Sequence, residues 1–439
     1  MPFQVQTPGR NNWIVVAGAL GAATASLALY WKLQPGLASA VVAGLGFMAV
    51  AVARPALAMA LLCAVLPIEG IAAGSTHMSE VRLIGIATFA IWLAHLLLYG
   101  HRIKINRTFL LGAALVFWAG ISIMWGTSLD TIGSSYFTMI QMLLLFLLTI
   151  NVVESEMDFR IVLAGLLLGA LVTSPLSMNV FMENVVERAR AFEAQNPNGY
   201  AMTVGFAIIS GLYLMRTEKN RLLRLFFMFS SLFMAVPLIL AQSRTAWVAT
   251  FSAIVVMIWY SRNRVRNYIT VVAVMVGLVM VLFAAGLVNL TLVERTNQLM
   301  TLENRGSSRF DVWVVAADMI ADHPIIGVGF AQFPFSYNQY RGDTPEIRRD
   351  TVASRDPHNT YIGVLGELGL IGLIILLLMF WSACREEDIP DHGRAWFSDV
   401  AVVFLMVFSI GGTLTHAKLL WIGLALAAKA RHLAAERDE

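Results

Sequence analysis

The residues best suited to chemistry lie between Ser307 and Asn359. That stretch opens Ser307-Ser308-Arg309-Phe310-Asp311-Val312-Trp313, continues through His323-Pro324-Ile325-Ile326-Gly327-Val328-Gly329, and closes on Asp356-Pro357-His358-Asn359. His358 is the candidate general base. Asp356 can cap a following helix and Pro357 suits its first position, which puts His358 and Asn359 in its first turn. The positive end of a helix disfavours imidazolium, and an uncharged imidazole is the form that can take a proton from a hydroxyl. Arg309 is the candidate anion ligand, because a guanidinium keeps its charge and grips phosphate with two parallel hydrogen bonds. The alternative for Arg309 is an interfacial anchor whose charge snorkels towards lipid headgroups.

Further arginines lie elsewhere. Arg244, in Gln242-Ser243-Arg244-Thr245-Ala246-Trp247, stands between two apolar runs, and a charge so close to hydrocarbon needs a partner or a ligand. Arg188 and Arg190 are weaker candidates, since Glu183, Glu187 and Glu193 can neutralise them locally. His323 precedes Pro324 and reads as structural, and His77, His95, His101, His392, His416 and His432 show no partner pattern. No phosphate-binding glycine loop with its lysine is present, no His/Cys/carboxylate cluster has metal spacing, and no Asp-x-Asp pair occurs in the first outward loops. No cofactor and no metal is therefore expected, and nucleic acid is not an expected partner.

These residues need a frame, and the composition says what kind. The 439 residues are 58% hydrophobic and 13% charged, about half the charge of an ordinary soluble domain. Runs of roughly 20 apolar residues recur along the chain, the length that crosses a bilayer as a helix. Alternation suited to barrel strands is missing. The expected fold is all-α and polytopic, with candidate spans near 13–31, 37–53, 55–72, 82–99, 108–125, 136–152, 160–178, 199–215, 223–241, 246–260, 268–289, 358–382 and 396–432. The last is either one broken span or a hairpin, with the break at Gly411-Gly412-Thr413. The total is 12 to 14 spans. Residues 13–31 read as a first span rather than a cleaved leader. The two cysteines, Cys63 and Cys384, support no disulfide framework.

Three basic loops set the orientation: Arg102/Lys104/Arg107, Arg216/Lys219/Arg221/Arg224 and Arg262/Arg264/Arg266. The positive-inside rule turns them to the cytoplasm. Loop 153–160 disagrees, because Glu154, Glu156 and Asp158 outnumber Arg160. The outward side then receives loop 179–198, the turn at Arg244 and the long segment 290–357. This divides the chain into a bundle over 1–289, a loop over 290–357 and closing spans over 358–439. Within the loop, 308–322 reads as a membrane-surface helix. Phe310, Trp313, Val314, Ala317 and Ile320 lie on its apolar side, and Asp311, Asp318 and Asp322 lie opposite. Residues 324–355 read as a lid or connector with no assignable chemistry. No internal repeat of the kind common in carriers is visible.

Taken in order, these motifs resemble the O-antigen ligase and O-antigen polymerase superfamily. The resemblance rests on Ser243-Arg244-Thr245-Ala246-Trp247, Arg309 with Trp313, His323 to Gly329, His358-Asn359 with Tyr361, and Gly366-Glu367-Leu368-Gly369-Leu370-Ile371-Gly372. It implies an inverting glycosyl transfer, independent of metal and ATP, on the periplasmic face of a bacterial inner membrane. The donor would be an undecaprenyl-diphosphate-linked glycan and the acceptor lipid A-core. His358 would activate the acceptor hydroxyl, and Arg309 and Arg244 would bind the diphosphate. Arg188 and Arg190 would be secondary ligands, and Asn359 and Trp313 supporting residues. A ligase is favoured because one long loop holds both Arg309 and His358. An O-antigen polymerase or a protein-glycosylating ligase of the same superfamily is the alternative, and a polysaccharide-lipid exporter the non-enzymatic one. The sequence does not set the sugars or the oligomeric state.

Overall fold

The computed structural model describes residues 51–69, 80–126, 132–183, 189–190, 196–261, 263–284, 309–341, 356–385 and 396–435. Candidate span 13–31, most of 37–53, Arg188, Ser307, Ser308 and the 342–355 part of the loop lie outside the described residues. The chain is an all-α, multi-pass membrane protein. Its helices are α1 (Ala56–Val65), α2 (Glu80–Tyr99), α3 (Arg107–Ser122), α4 (Ile132–Val152), α5 (Glu156–Glu183), α6 (Pro197–Thr217) and α7 (Arg221–Leu240). There follow α8 (Arg244–Trp259), α9 (Arg264–Ala284), α10 (Arg309–Asp322), α11 (Phe333–Arg341), α12 (Thr360–Arg385), α13 (Trp396–Ser409) and α14 (Lys418–Ala435). Among the described residues seven helices are long and apolar enough to cross a membrane, and shorter apolar helices accompany them.

Helix α6 forms the buried axis, with Tyr200 to Ile209 buried without a gap. Around it Phe206, Phe397, Phe159 and Tyr213 meet edge to face at ring separations of 5.0 to 6.4 Å, the geometry aromatic quadrupoles favour. Helix α5 crosses α1 closely because Gly165 and Gly169 lie directly against the backbone of Ala60 and Ala64. Small residues at that spacing let backbones touch, which replaces hydrophobic attraction as the packing force in lipid.

The last candidate span is a hairpin: α13 and α14 run antiparallel, and Arg431 on one lies 3.6 Å from Asp399 on the other. The turn falls at 410–417, where the glycine pair predicted it. The acidic loop 153–160 is also accounted for. Asp158 accepts from Arg54 at 3.0 Å, Glu154 lies 3.9 Å from Lys104, and Arg160 pairs with Glu218. Two of its carboxylates therefore face cations, Lys104 of a basic loop and Arg54, and its own Arg160 pairs with Glu218.

The opposite end carries the long segment, and there α12 is broken. Gly369 has φ 66° and ψ −167° inside the helix. A break in a spanning helix leaves backbone groups that lipid cannot satisfy, each at a cost of several kcal/mol by order of magnitude. The 324–329 segment satisfies them. Val328 N–H donates to Gly366 O, Gly329 N–H to Glu367 O, Leu370 N–H to Pro324 O, and Ile371 N–H to Ile325 O. Trp118 Nε1 donates to Leu368 O at 2.9 Å, and Trp125 Nε1 to Gly327 O at 3.2 Å. The start of the supposed lid or connector is thus a fixed plug in a helix break.

Helix α10 also docks on protein. Its buried face is Val312, Val315, Ala316 and Met319, packed on Phe333 and Tyr337 of α11, with Ile362 of α12 alongside. Ala317, on the side assigned to the membrane surface, is exposed, and Trp313, Val314 and Ile320 of that side are only partly buried. The helix thus carries a second apolar stripe beside the one read from the sequence.

Candidate functional site

Arg244 is exposed and is the first residue of α8, beneath Ser243, whose hydroxyl makes no cap. Gln242 just before it has φ 50°. A cation at a helix N-terminus faces the positive end of the dipole, an arrangement that an anion bound there would reverse in sign. Arg309 stands at the described start of α10, half-buried. Burial pushes the Arg309 guanidinium below its ordinary value. The charge of Arg244 adds to that, and the Asp356 carboxylate opposes it. Arg244 and Asp356 are thus near enough to Arg309 for their charges to act on it.

Arg190 is brought to the same end. Ala189 N–H donates to Leu240 O at 3.1 Å, which pins the neighbouring Arg190 beside the turn that leads to Arg244. Arg188 lies outside the described residues.

The turn carrying His358 is not the one capping rules predicted. The cap of α12 is Asn359, whose side chain accepts from Tyr361 N–H at 2.9 Å and Ile362 N–H at 3.1 Å. His358 precedes the cap, at φ 47°, so it lies outside the helix rather than in its first turn. Asp356 instead forms a turn over His358, accepting its N–H at 2.7 Å, with Asp356 Oδ1 3.8 Å from His358 Nδ1. Both side chains are 50% exposed. Asn caps as well as Asp does, and two competent caps three residues apart left the sequence ambiguous.

Left-handed backbone in a non-glycine residue costs about 1–2 kcal/mol and persists where surrounding contacts enforce it. Among the described residues it occurs at Gln242, Ala331 and His358. All three sit at this end of the bundle: one beside Arg244, one between the plug and α11, and one at the candidate base.

Three contacts with the α13–α14 turn tie these pieces together. Thr245 lies against Gly411, Thr360 donates its hydroxyl to Gly412 O at 2.6 Å, and Thr413 donates to Asp356. Trp313 Nε1 donates to Pro357 O at 2.9 Å. That bond fixes α10, and Arg309 one turn earlier, over the 356–358 turn. The supporting residues Trp313 and Asn359 thus act through backbone at the site.

Sequence reasoning missed Asp356 as more than a cap, and it missed Thr360, Thr413 and His416 altogether. His416 was set aside for want of a partner pattern. It lines a cavity of about 300 Å³ together with Asp356, Glu367, Phe330, Phe333 and Thr413. The only available signal was Gly411-Gly412-Thr413-Leu414-Thr415-His416 itself, a polar run between two apolar helices. Among the described residues no group of three or more His, Cys, Asp or Glu is placed to hold a metal ion.

Residues 229–377 match the family model described as O-antigen ligase. The matched region contains every motif on which the resemblance rests. No curated protein matches the chain.

Proposed function

We propose that this chain, which carries the O-antigen ligase family domain over residues 229–377, transfers a glycan from undecaprenyl diphosphate to lipid A-core on the periplasmic side of a bacterial inner membrane. The observation that carries the reading is the convergence of Arg244 and Arg309 beside the Asp356–His358 turn. In the proposed reaction the acceptor oxygen attacks the anomeric carbon, and its proton passes to His358 Nε2. The bond between that carbon and the diphosphate oxygen breaks, and the diphosphate leaves with the electron pair. A single displacement of this kind inverts the anomeric centre. Arg244 and Arg309 stabilise the charge growing on the leaving group, a role preorganised cations perform. Arg190 is a further ligand in reach of the same turn, and Arg188 keeps its sequence-based candidacy. Asp356 holds the His358 backbone in its turn and sets a carboxylate 3.8 Å from Nδ1. This scheme needs neither a metal nor a nucleotide, because diphosphate is already a good leaving group.

The test is purified protein with undecaprenyl-diphosphate glycan and rough lipopolysaccharide, without added metal or nucleotide. Glycan joined to lipid A-core supports the reading. Elongation of the donor alone makes the enzyme a polymerase, and no transfer to any acceptor removes the glycosyl-transfer reading.

A further inference from the structure

The cavity of about 300 Å³ is lined by Asp356 but by neither Arg244 nor Arg309. Its volume is at the lower end of the range of small-molecule pockets. Its lining is mostly apolar and includes the aromatic rings of Phe330 and Phe333, the Phe330 ring centroid lying 5.8 Å from that of His416. The polar groups in the same lining include Asp356, Thr413, Glu367 and His416.

Most of these polar groups already have partners. Thr413 donates to Asp356, and Glu367 Oε1 accepts from Phe333 N–H at 3.1 Å. His416 Nδ1 faces the Thr415 hydroxyl at 3.3 Å. His416 Nε2 differs, because among the described residues it is buried and makes no hydrogen bond of good geometry, although the Ser135 backbone also lies beside the ring. A buried polar atom without a partner is uncommon in folded proteins and calls for an explanation.

The lining decides what class of ligand fits. The Asp356 carboxylate in the lining repels a phosphate, which Arg244 and Arg309 attract instead. An aliphatic tail would leave the buried His416 Nε2 dry and unpaired. A neutral ring with apolar C–H faces and hydroxyls on its edge suits both the aromatic and the polar groups of the lining, and a hydroxyl can donate to or accept from Nε2 in either imidazole tautomer.

We propose that this cavity is a sugar-ring subsite, in which a pyranose lies against Phe330 and Phe333 and His416 Nε2 hydrogen-bonds one of its hydroxyls. The assignment deepens the glycosyl-transfer reading and rests on it for the identity of the sugar. Two sources share this chemistry: the terminal sugar of the acceptor and the diphosphate-linked sugar of the donor. Asp356 forms the partition between the cavity and His358, so either sugar would lie next to the reacting centre.

The experiment uses full-length protein in detergent, in wild-type, His416→Leu and His416→Gln forms, with thermal unfolding to show that each is folded. Saturation-transfer NMR measures binding of two probes: core oligosaccharide freed of lipid A, and the glycan released from the donor. Transfer kinetics measure KM for each full substrate. The expected result is about tenfold weaker binding and an about tenfold higher KM for one substrate in His416→Leu, the effect of one hydrogen bond. His416→Gln, which keeps a polar group near the Nε2 position, should recover most of it, and kcat should move less than about threefold by the same reasoning. An effect on the core oligosaccharide assigns the acceptor, and an effect on the released glycan assigns the donor. Unchanged binding and KM for both probes in a folded His416→Leu protein overturns the subsite. If wild type shows no transfer, the glycosyl-transfer reading fails, and the binding arm still decides whether the cavity holds a sugar.

Discussion

Gly327 and Gly369 interlock. Each has a left-handed backbone, at φ 73° and 66°. A Cβ on Gly327 would overlap the Glu367 carbonyl and lie 2.6 Å from Gly369 N, and a Cβ on Gly369 would overlap the Ile325 carbonyl. The plug and the broken helix are therefore one structural unit, and the position of the 356–359 turn depends on it through α12.

Gly327→Ala and Gly369→Ala should each destabilise the protein severely. The conformational penalty is about 1–2 kcal/mol, and overlap with backbone that cannot move adds to it, for a total on the order of 3 kcal/mol or more. Thermal unfolding in detergent should show a large drop in midpoint for both. Gly277→Ala in α9, where a Cβ meets open space, should be neutral or slightly stabilising. A Gly327→Ala protein that unfolds like wild type would mean the plug is not seated in the helix break.

The Asp356–His358 turn separates a base from its support. His358→Gly keeps the left-handed backbone and removes the imidazole, and should lower kcat by about 10²–10⁴-fold, the usual worth of general base catalysis. Asp356→Asn can still accept the His358 N–H but loses the charge beside Nδ1. It should lower kcat by about tenfold to a hundredfold, as lost orienting carboxylates commonly do. Wild-type turnover by His358→Gly would remove the base assignment.

The arginine pair should distinguish shape from charge. Arg309→Lys and Arg244→Lys preserve one positive charge but lose the fork that matches a diphosphate. Each should reduce kcat/KM by about 10- to 100-fold and weaken inhibition by inorganic pyrophosphate in parallel. Inhibition that is unchanged in both variants would assign the arginines to anchoring instead.

Much of the frame was readable from hydropathy, because bilayer thickness fixes the length of apolar runs and glycine pairs mark where they stop. The turn at Gly411-Gly412 came from such a local pattern. The interior of the site did not. Asp356 and Asn359 both satisfy capping rules, and only tertiary contacts choose Asn359 as the cap and turn Asp356 towards Thr413. Helix α10 has two neighbouring apolar stripes, and α11, short and polar in sequence, decides which is buried. The left-handed residues Gln242, Ala331 and His358 carry no mark in sequence, since side chains of these types ordinarily avoid that conformation.

His416 supplies a dependence on pH whose direction follows from its surroundings. Burial pushes the imidazole below its ordinary value, and the Ser135 backbone and the Asp356 charge only partly oppose it. In the unfolded chain a histidine titrates near about 6.5. Below that value the unfolded state binds a proton that the folded state resists, so stability falls as pH drops through about 6.5 towards the lower folded value, and is fully retained above it. The other charged groups facing the ring are Asp356 and Glu367. Comparing wild type with His416→Gln cancels their direct contribution and isolates that of the imidazole. The unfolding midpoint of wild type should therefore decline more steeply than that of His416→Gln between about pH 7 and pH 5. Parallel declines would show that the ring takes up its proton freely in the folded protein, which is incompatible with its burial behind Phe330.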